Sequence, residues 1–268
     1  MTSTNADGNR ATLHCWGVGD GWPSMDRRHS AYLYHFGDTR LLVDCGDGVN
    51  AGFFASGLEY EELDGVLLSH LHSDHVGGFS LFVQDLWLNQ RRRSLPIHLP
   101  GSGIAPLKAW LEATILPPAL LGFPIRWTAL IAGRKFRAGK VNVTAYPTTH
   151  LESLRRALQP RYPHIGFEAF SFLLEAPGVR VAHTADLGAA TDLVPLLSKP
   201  LDLLVCELAH VELEPLAALL RGRPIGKIVF MHLARELWED LPKTRKRLKT
   251  LLGGIPFTIA KDGDRFSV

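Results

Sequence analysis

Residues 67–78 read Leu67-Leu68-Ser69-His70-Leu71-His72-Ser73-Asp74-His75-Val76-Gly77-Gly78, with three histidines and one aspartate within six positions. If the apolar start of this stretch is a strand, His70 and His72 project to the same face. Asp74 and His75 are adjacent, so they can serve the same site only if the chain leaves the strand and turns. We expect Gly77 and Gly78 to give the conformational freedom for that turn.

This spacing predicts a metal site, and it suits two neighbouring ions better than one. A single histidine after an apolar strand is usually a core or surface residue. Four such side chains packed together without a cation would be difficult to solvate and to hydrogen-bond. Imidazole and carboxylate groups are common ligands of Zn, Mn and Fe, and the pattern does not choose among these metals.

Composition limits the class of protein. The chain has 268 residues, 46% of them hydrophobic and 21% charged, which is typical of a soluble globular protein with a substantial core. The net charge is only +2, so RNA remains a possible partner but has no support from the overall charge. Three cysteines are too few for a disulfide framework and indicate reduced thiols.

We expect a cytoplasmic protein with no membrane partner. The first ten residues are polar and contain no signal sequence, so we predict a disordered N-terminus over residues 1–10. No apolar run approaches the length of a membrane span. The remaining residues, 11–268, are predicted to form a single domain, and the sequence leaves a homodimer open.

Other candidate ligands also follow apolar strands, which would bring them to one edge of a sheet. They are His150, Asp186 in Thr-Ala-Asp, and His232. Asp44 ends another strand and could hold a metal-bound histidine from behind. Asp47 has an equal claim to a structural role, as the N-cap of the helix that follows it.

Four further segments have weaker signals. The glycine-rich residues Gly17–Ser24 form either a turn at the rim of a sheet or a loop that borders a site. The arginine-rich segment Leu151–Gly166 follows His150, and we expect it to hang over any site there. Arg91–Arg93 indicates a helix C-terminus and a solvated face. Residues 119–132 are predicted to be irregular.

The ordered set of motifs resembles the metallo-β-lactamase superfamily, whose signature His-x-His-x-Asp-His stands here as His70–His75. The resemblance continues through Asp44, His150, Asp186 and His232. Within the superfamily, Gly19–Ser24 and Asp44–Gly48 look most like the tRNase Z and phosphodiesterase branch. The resemblance implies an α/β (α+β) fold, a four-layer αβ/βα sandwich in which helices flank two facing mixed β-sheets.

The resemblance also implies a role for each site residue. His70, His72 and His150 would hold one divalent metal ion, and Asp74, His75 and His232 the second, with Asp186 bridging them. Zinc is the first expectation for both ions, with Mn or Fe as alternatives. Three residues are implied as catalytic: Asp74 as acceptor of the proton of the attacking water, and His210 and Glu207, which lie where the nuclease branch carries a histidine and an acidic residue. His210 is our candidate for protonating the leaving oxygen, and its alternative role is to orient a ligand.

Four functions follow from this interpretation. The first is cleavage of a phosphodiester, in a small-molecule or nucleotide-type substrate, by metal-bound hydroxide. The second is hydrolysis of an ester, lactone or thioester. The third, tRNA 3′-end processing, is weakened because the sequence has no long glycine-rich arm. The last is a catalytically inactive metal-binding relative. Basic groups at the metal edge would favour the first, an apolar pocket there the second, and a site sealed by Leu151–Gly166 the last.

Overall fold

The computed structural model describes residues 11–268, so the prediction of a disordered segment over residues 1–10 lies outside the described part of the chain. The strands are β1 (Ala11–Gly17), β2 (Ala31–Phe36), β3 (Thr39–Val43), β4 (Gly65–Leu67), β5 (Leu95–Leu99), β6 (Ile125–Ala129), β7 (Lys135–Ala138), β8 (Val141–Pro147), β9 (Phe170–Ala176), β10 (Val179–His183), β11 (Leu201–Leu208), β12 (Ile225–Leu233), β13 (Phe257–Ile259) and β14 (Arg265–Ser267). The α-helices are α1 (Val49–Ser56), α2 (Ser73–Val76), α3 (Phe79–Leu88), α4 (Ile104–Ala113), α5 (Pro118–Leu121), α6 (Glu152–Leu158), α7 (Leu213–Leu220), α8 (Arg235–Glu239) and α9 (Leu241–Leu252).

The strands form two mixed sheets of seven strands each. The first has the order β14-β1-β2-β3-β4-β5-β6, and the second has the order β13-β12-β11-β10-β9-β8-β7. Strands β3 to β6 run parallel in the first sheet, and β10 to β13 run parallel in the second. Because the carboxyl ends of parallel strands share one edge, residues that follow these strands can meet.

The sheets pack face to face, and helices cover both outer faces. Leu13 of the first sheet and Phe172 of the second belong to one central core. A second core lies between the first sheet and helices α1, α3 and α4, and a third lies between the second sheet and helices α7 and α9. Strand β11 has a continuously apolar sequence because both of its faces are buried. Leu203 packs in the central core, and the next residue, Leu204, packs in an outer one. The predicted four-layer sandwich is confirmed.

Several local predictions were wrong. Residues 119–132 are not irregular throughout, because they include the end of α5 and the edge strand β6. Arg91 is fully buried rather than solvated, and its guanidinium donates hydrogen bonds to the carbonyls of Tyr60, Leu63, Arg93 and Ser94. Arg92 and Arg93 are exposed, as expected.

Two remaining expectations concern the cysteines and the membrane. Cys15, Cys45 and Cys206 are buried and free, as predicted. In residues 11–268, the helices are all too short or too polar to cross a membrane.

Candidate metal centre

Seven predicted ligands meet where the two sheets present the ends of their strands. His70 follows β4, His150 follows β8, Asp186 follows β10, and His232 lies near the end of β12. We call the whole set the His/Asp cluster: His70, His72, Asp74, His75, His150, Asp186 and His232. It forms two groups of four with Asp186 in both, and the potential ligand atoms of each group lie within 4.8 Å of one another.

The first group contains three histidines beside Asp186. His72 Nδ1 and His150 Nε2 are 3.2 Å apart, and the His70 ring lies across from both. The Oδ2 atom of Asp186 is 3.7 Å from His70 Nε2 and 3.5 Å from His150 Nε2. At these separations one ion could contact several of the nitrogens and the carboxylate oxygen together, and imidazole and carboxylate groups are common zinc ligands.

The second group contains Asp74, His75 and His232, again beside Asp186. The other oxygen of Asp186, Oδ1, is 3.3 Å from His75 Nε2 and 3.5 Å from His232 Nε2. Asp74 Oδ2 is 3.5 Å from His75 Nε2 and 3.8 Å from His232 Nε2. The two carboxylate oxygens of Asp186 therefore face different groups, which places this residue between them.

The signature folds as predicted in outline but not in detail. The chain leaves β4 and forms the single helical turn α2, which places Asp74 and His75 in one ligand group while His70 and His72 belong to the other. The expected role of the glycines was wrong, because Gly77 and Gly78 have ordinary φ values of −59° and −84°. They are needed for close packing: a Cβ on Gly78 would lie 2.3 Å from the carbonyl oxygen of Gly46.

Asp44 supports the cluster from behind, as one interpretation of the sequence proposed. Its carboxylate is fully buried, and its Oδ2 atom is 2.7 Å from His75 Nδ1. The same carboxylate accepts hydrogen bonds from the backbone N–H and the hydroxyl of Ser69. A histidine that donates from Nδ1 keeps the lone pair of Nε2 free for a metal. Asp47 is not the N-cap of α1; its Oδ1 atom accepts from the backbone N–H of His29.

Two further polar contacts were missed in the sequence. Ser30 Oγ lies 3.2 Å from His232 Nδ1, so it fixes the orientation of that ring. The buried His183, at the end of β10, bonds through Nδ1 to the hydroxyl of Tyr34, at 2.8 Å. Ser30 precedes β2, and Tyr34 lies within it. Because no candidate ligand lies in this strand, its sequence gave no signal that could identify the two residues.

Backbone strain is concentrated at the same edge. Asp44, Ala185 and His232 have φ values of 60°, 47° and 49°, in the left-handed region that residues other than glycine rarely adopt. Each lies at or beside a strand end that carries a cluster residue or its support. Such strain persists only where the surrounding structure enforces it, and it is common at functional sites.

The charge states suit a cation. Burial lowers the pKa of His70 well below its ordinary value and the pKa of His150 to about 4, so both imidazoles are neutral at pH 7. Burial opposes the charge on Asp186, but the imidazoles of His232 and His75 outweigh it and hold its pKa well below the usual value. The first group therefore offers neutral nitrogens beside an ionised carboxylate. In the second group, burial opposes the charge on His75, but the carboxylates of Asp186 and Asp44 outweigh it and raise the pKa of His75 well above its usual value.

Unsatisfied atoms test whether a metal fits. Among the residues that the structure describes, His70 Nε2, His75 Nε2 and Asp186 Oδ1 are buried and have no hydrogen-bond partner. Each such atom costs about 1–3 kcal/mol if nothing binds it. All three point into the cluster, where divalent cations would satisfy them together. The residues present thus fit divalent metal ions.

His210 lies at the side of the cluster that is open to solvent, and Glu207 lies behind it. His210 Nδ1 is 3.6 Å from Asp186 Oδ2, and its side chain is 37% exposed. Glu207 is fully buried beneath it, with Oε1 3.4 Å from His210 Nδ1. The oxygens of Glu207 also accept hydrogen bonds from the backbone N–H groups of Leu187, Ala209 and His210. Glu207 therefore contacts His210 but not the solvent side.

The arginine-rich segment Leu151–Gly166 does not seal the site. It contains α6, in which Arg155 and Arg156 both pair with Glu152. Asp74 keeps 12% of its side chain exposed, so solvent reaches the cluster. This accessibility argues against the interpretation in which the ligands remain but access is lost.

Similar proteins are known both as sequences and as structures. The Ribonuclease Z of Bradyrhizobium diazoefficiens is 28% identical over 158 residues, 59% of this chain and 48% of that protein. The Ribonuclease Z of an Exiguobacterium strain is 29% identical over 178 residues, 66% of this chain and 54% of that protein. The chain thus matches about half the length of these relatives.

Solved structures share the fold. The metallo-beta-lactamase fold protein YhfI from Bacillus subtilis has a TM-score of 0.77 at 21% identity, over 97% of this chain and 100% of that one. Human tRNase Z, short form, has a TM-score of 0.67 at 18% identity, over 95% of this chain and 98% of that one. Residues 39–244, well over half of the chain, match the family described as the Beta-lactamase superfamily domain. The predicted resemblance is confirmed: the chain belongs to the beta-lactamase superfamily.

Proposed function

We propose that this protein is a metal-dependent hydrolase with a dinuclear site that cleaves a phosphodiester. The observation that carries the proposal is the position of Asp186, whose two oxygens face two separate groups of potential ligands. Two ions sharing one carboxylate suit the in-line displacement of phosphoryl chemistry, because both the attacking and the leaving oxygen need stabilisation. Relatives named Ribonuclease Z support the same class of reaction.

The proposed ligands are His70, His72 and His150 for one ion and Asp74, His75 and His232 for the other, with Asp186 shared. The donor set of imidazoles and carboxylates fits zinc first, and Mn or Fe as alternatives. When bound, the two ions supply Lewis-acid stabilisation of the phosphoryl oxygens and activate water for attack.

The chain itself supplies the proton transfers. His210 is the proposed general acid, because it touches Asp186 and is open to solvent, where a leaving group would depart. A positioned histidine in this role contributes roughly 10²–10⁴-fold to the rate. Glu207 is the proposed positioning residue, since its buried carboxylate contacts the His210 ring and holds the backbone N–H of the same residue. Asp74, partly exposed, is the proposed acceptor for the proton of the attacking water.

An RNA endonuclease is the second candidate, because the relatives carry the name Ribonuclease Z. The net charge of +2 gives little general attraction for a polyanion. The arginines Arg155 and Arg156 are also paired with Glu152 rather than free for phosphates. A smaller substrate with a single phosphodiester therefore fits the described residues better.

The test is the turnover of bis-p-nitrophenyl phosphate by protein loaded with Zn or Mn. We expect turnover in the wild type, its loss in Asp74→Ala, and no effect of Asp26→Ala, which removes an exposed aspartate from a nearby loop. A precursor tRNA assayed in parallel separates the second candidate from the first. Hydrolysis of lactones or thioesters without any phosphodiester turnover would overturn the proposal.

A further inference from the structure

A cleft of about 450 Å³ lies beside the His/Asp cluster and takes no part in the chemistry described so far. One wall is the loop Gly19–Ser24, and the other is helix α8. Two tryptophans, two arginines and two carboxylates line it, namely Trp22, Trp238, Arg27, Arg235, Asp20 and Glu239. We call this the tryptophan cleft.

Both walls of the tryptophan cleft are joined to proposed metal ligands. On the loop side, a Cβ placed on Gly21 would lie 3.5 Å from Asp74 Oδ2. On the helix side, α8 begins three residues after His232, and the backbone N–H of His232 donates to the carbonyl of Val18 at 2.8 Å. The walls of the cleft are therefore continuous in the chain with residues that contact the second ligand group.

The cleft offers flat aromatic surfaces backed by cations. The guanidinium carbon of Arg27 lies 4.6 Å from the ring centre of Trp238, and that of Arg235 lies 5.8 Å from the ring centre of Trp22. Trp22 is 62% exposed, although removing an indole from water is favourable. An exposed indole on a loop that touches a site is a surface on which a planar ring can stack.

The cleft has two arginines and two carboxylates, but these charges are not all paired. Arg235 pairs with Glu239 at 3.3 Å, and the carboxylate of Asp20 accepts from the backbone N–H of Trp22 at 3.3 Å. The guanidinium of Arg27 is held over Trp238, and its buried Nε atom has no hydrogen-bond partner among residues 11–268. A half-buried guanidinium without a partner is a site for an anion, and phosphate matches its geometry.

We propose that the tryptophan cleft is a nucleotide subsite, in which a nucleobase stacks on Trp22 and a phosphate oxygen meets Arg27. This deepens the proposed function and rests on it: one side of the cleaved phosphodiester is a nucleoside held in the cleft, and its scissile phosphate lies between Arg27 and the cluster. A planar base with a phosphate uses both unsatisfied features, whereas an aliphatic ester would use neither.

The experiment is calorimetric binding of adenosine 5′-monophosphate and of ribose 5-phosphate to zinc-loaded protein. The two probes share the sugar and the phosphate and differ only in the base. Stacking of one base on an aromatic side chain is worth about 1–3 kcal/mol, which corresponds to roughly 5- to 150-fold in affinity. We expect Trp22→Ala to lower the affinity for adenosine monophosphate by that factor and to leave the affinity for ribose 5-phosphate unchanged. Trp22→Phe should restore most of the lost affinity.

Two further variants sharpen the test. Arg27→Gln should weaken the binding of both probes, because both carry the phosphate. Met25→Ala, which removes a fully exposed side chain from the same loop, should change neither. Wild-type binding of adenosine monophosphate by Trp22→Ala, or an equal loss for both probes, would overturn the subsite. Because binding is measured without turnover, Trp22-dependent binding in a protein that hydrolyses no phosphodiester would refute the proposed function alone.

Discussion

Replacing Asp44 by asparagine isolates what one buried carboxylate does for the cluster. Asparagine has the same shape and tolerates the φ of 60° at this position, so the loop need not move. The carboxylate accepts from the Ser69 backbone N–H at 2.7 Å through one oxygen and faces His75 Nδ1 at 2.7 Å through the other. An amide has only one oxygen for these two donors.

Either orientation of the asparagine amide therefore leaves a conflict. If its NH₂ faces Ser69, a buried backbone N–H loses its acceptor, at a cost of about 1–3 kcal/mol. If its NH₂ faces His75, the ring must accept at Nδ1 and carry its proton on Nε2, the atom that faces the second ligand group. We expect the amide to keep the Ser69 bond, so the loss falls on metal binding.

The expected result is a loss of roughly 10- to 100-fold in affinity for one metal ion, the range typical of partners that orient a metal-bound histidine. Competition between the protein and a zinc-chelating dye measures the two affinities separately. Asp47→Asn is the matched control, because Asp47 lies three residues away and its side chain is 59% exposed. Two unchanged affinities in a folded Asp44→Asn protein would refute the role assigned to Asp44.

Three other substitutions test the structure at separate points. Arg91→Met should lower the free energy of unfolding, measured in urea, by about 3 kcal/mol or more, since buried carbonyls lose their hydrogen-bond donor. Arg92→Met, at an exposed position, should have little effect. Burial lowers the pKa of His98 to about 4, so only the unfolded chain takes up this proton as the pH falls below 6.5. Stability is therefore lost on the acid side, and His98→Gln should reduce the loss between pH 7 and pH 5 by about 2 kcal/mol; an unchanged loss would contradict the burial argument. Ser30→Ala, which frees the His232 ring, should lower the affinity for one metal ion about tenfold. An unaltered affinity would show that Ser30 is dispensable.

The proposed ligands could be predicted from the sequence because they are marked twice. Each is a histidine or aspartate, and most of them lie at or just beyond the end of an apolar strand. Order along the chain then adds a family signature to the chemistry. His70, His150, Asp186 and His232 carry both marks, and the structure brings them together.

Residues that act through a neighbour lacked such marks. Ser30 and Tyr34 belong to the β2 region, and their roles depend on which side chain faces them across the sandwich, which no local pattern reveals. The sequence around Arg91 indicated only a helix end, because two of its acceptors, the carbonyls of Tyr60 and Leu63, lie far away in sequence. The edge strand β6 is largely exposed, so its sequence lacks the buried alternation that identifies strands.

The most direct test of the dinuclear centre is the number of metal ions bound per chain. Metal-free protein is dialysed against zinc, and bound metal is measured by mass spectrometry with circular dichroism as the check on folding. We expect two ions in the wild type and one in either His72→Ala or His232→Ala, because each of these residues belongs to one group only. A folded wild type that binds a single ion, or a loss of both ions in each variant, would contradict two separate sites joined by Asp186.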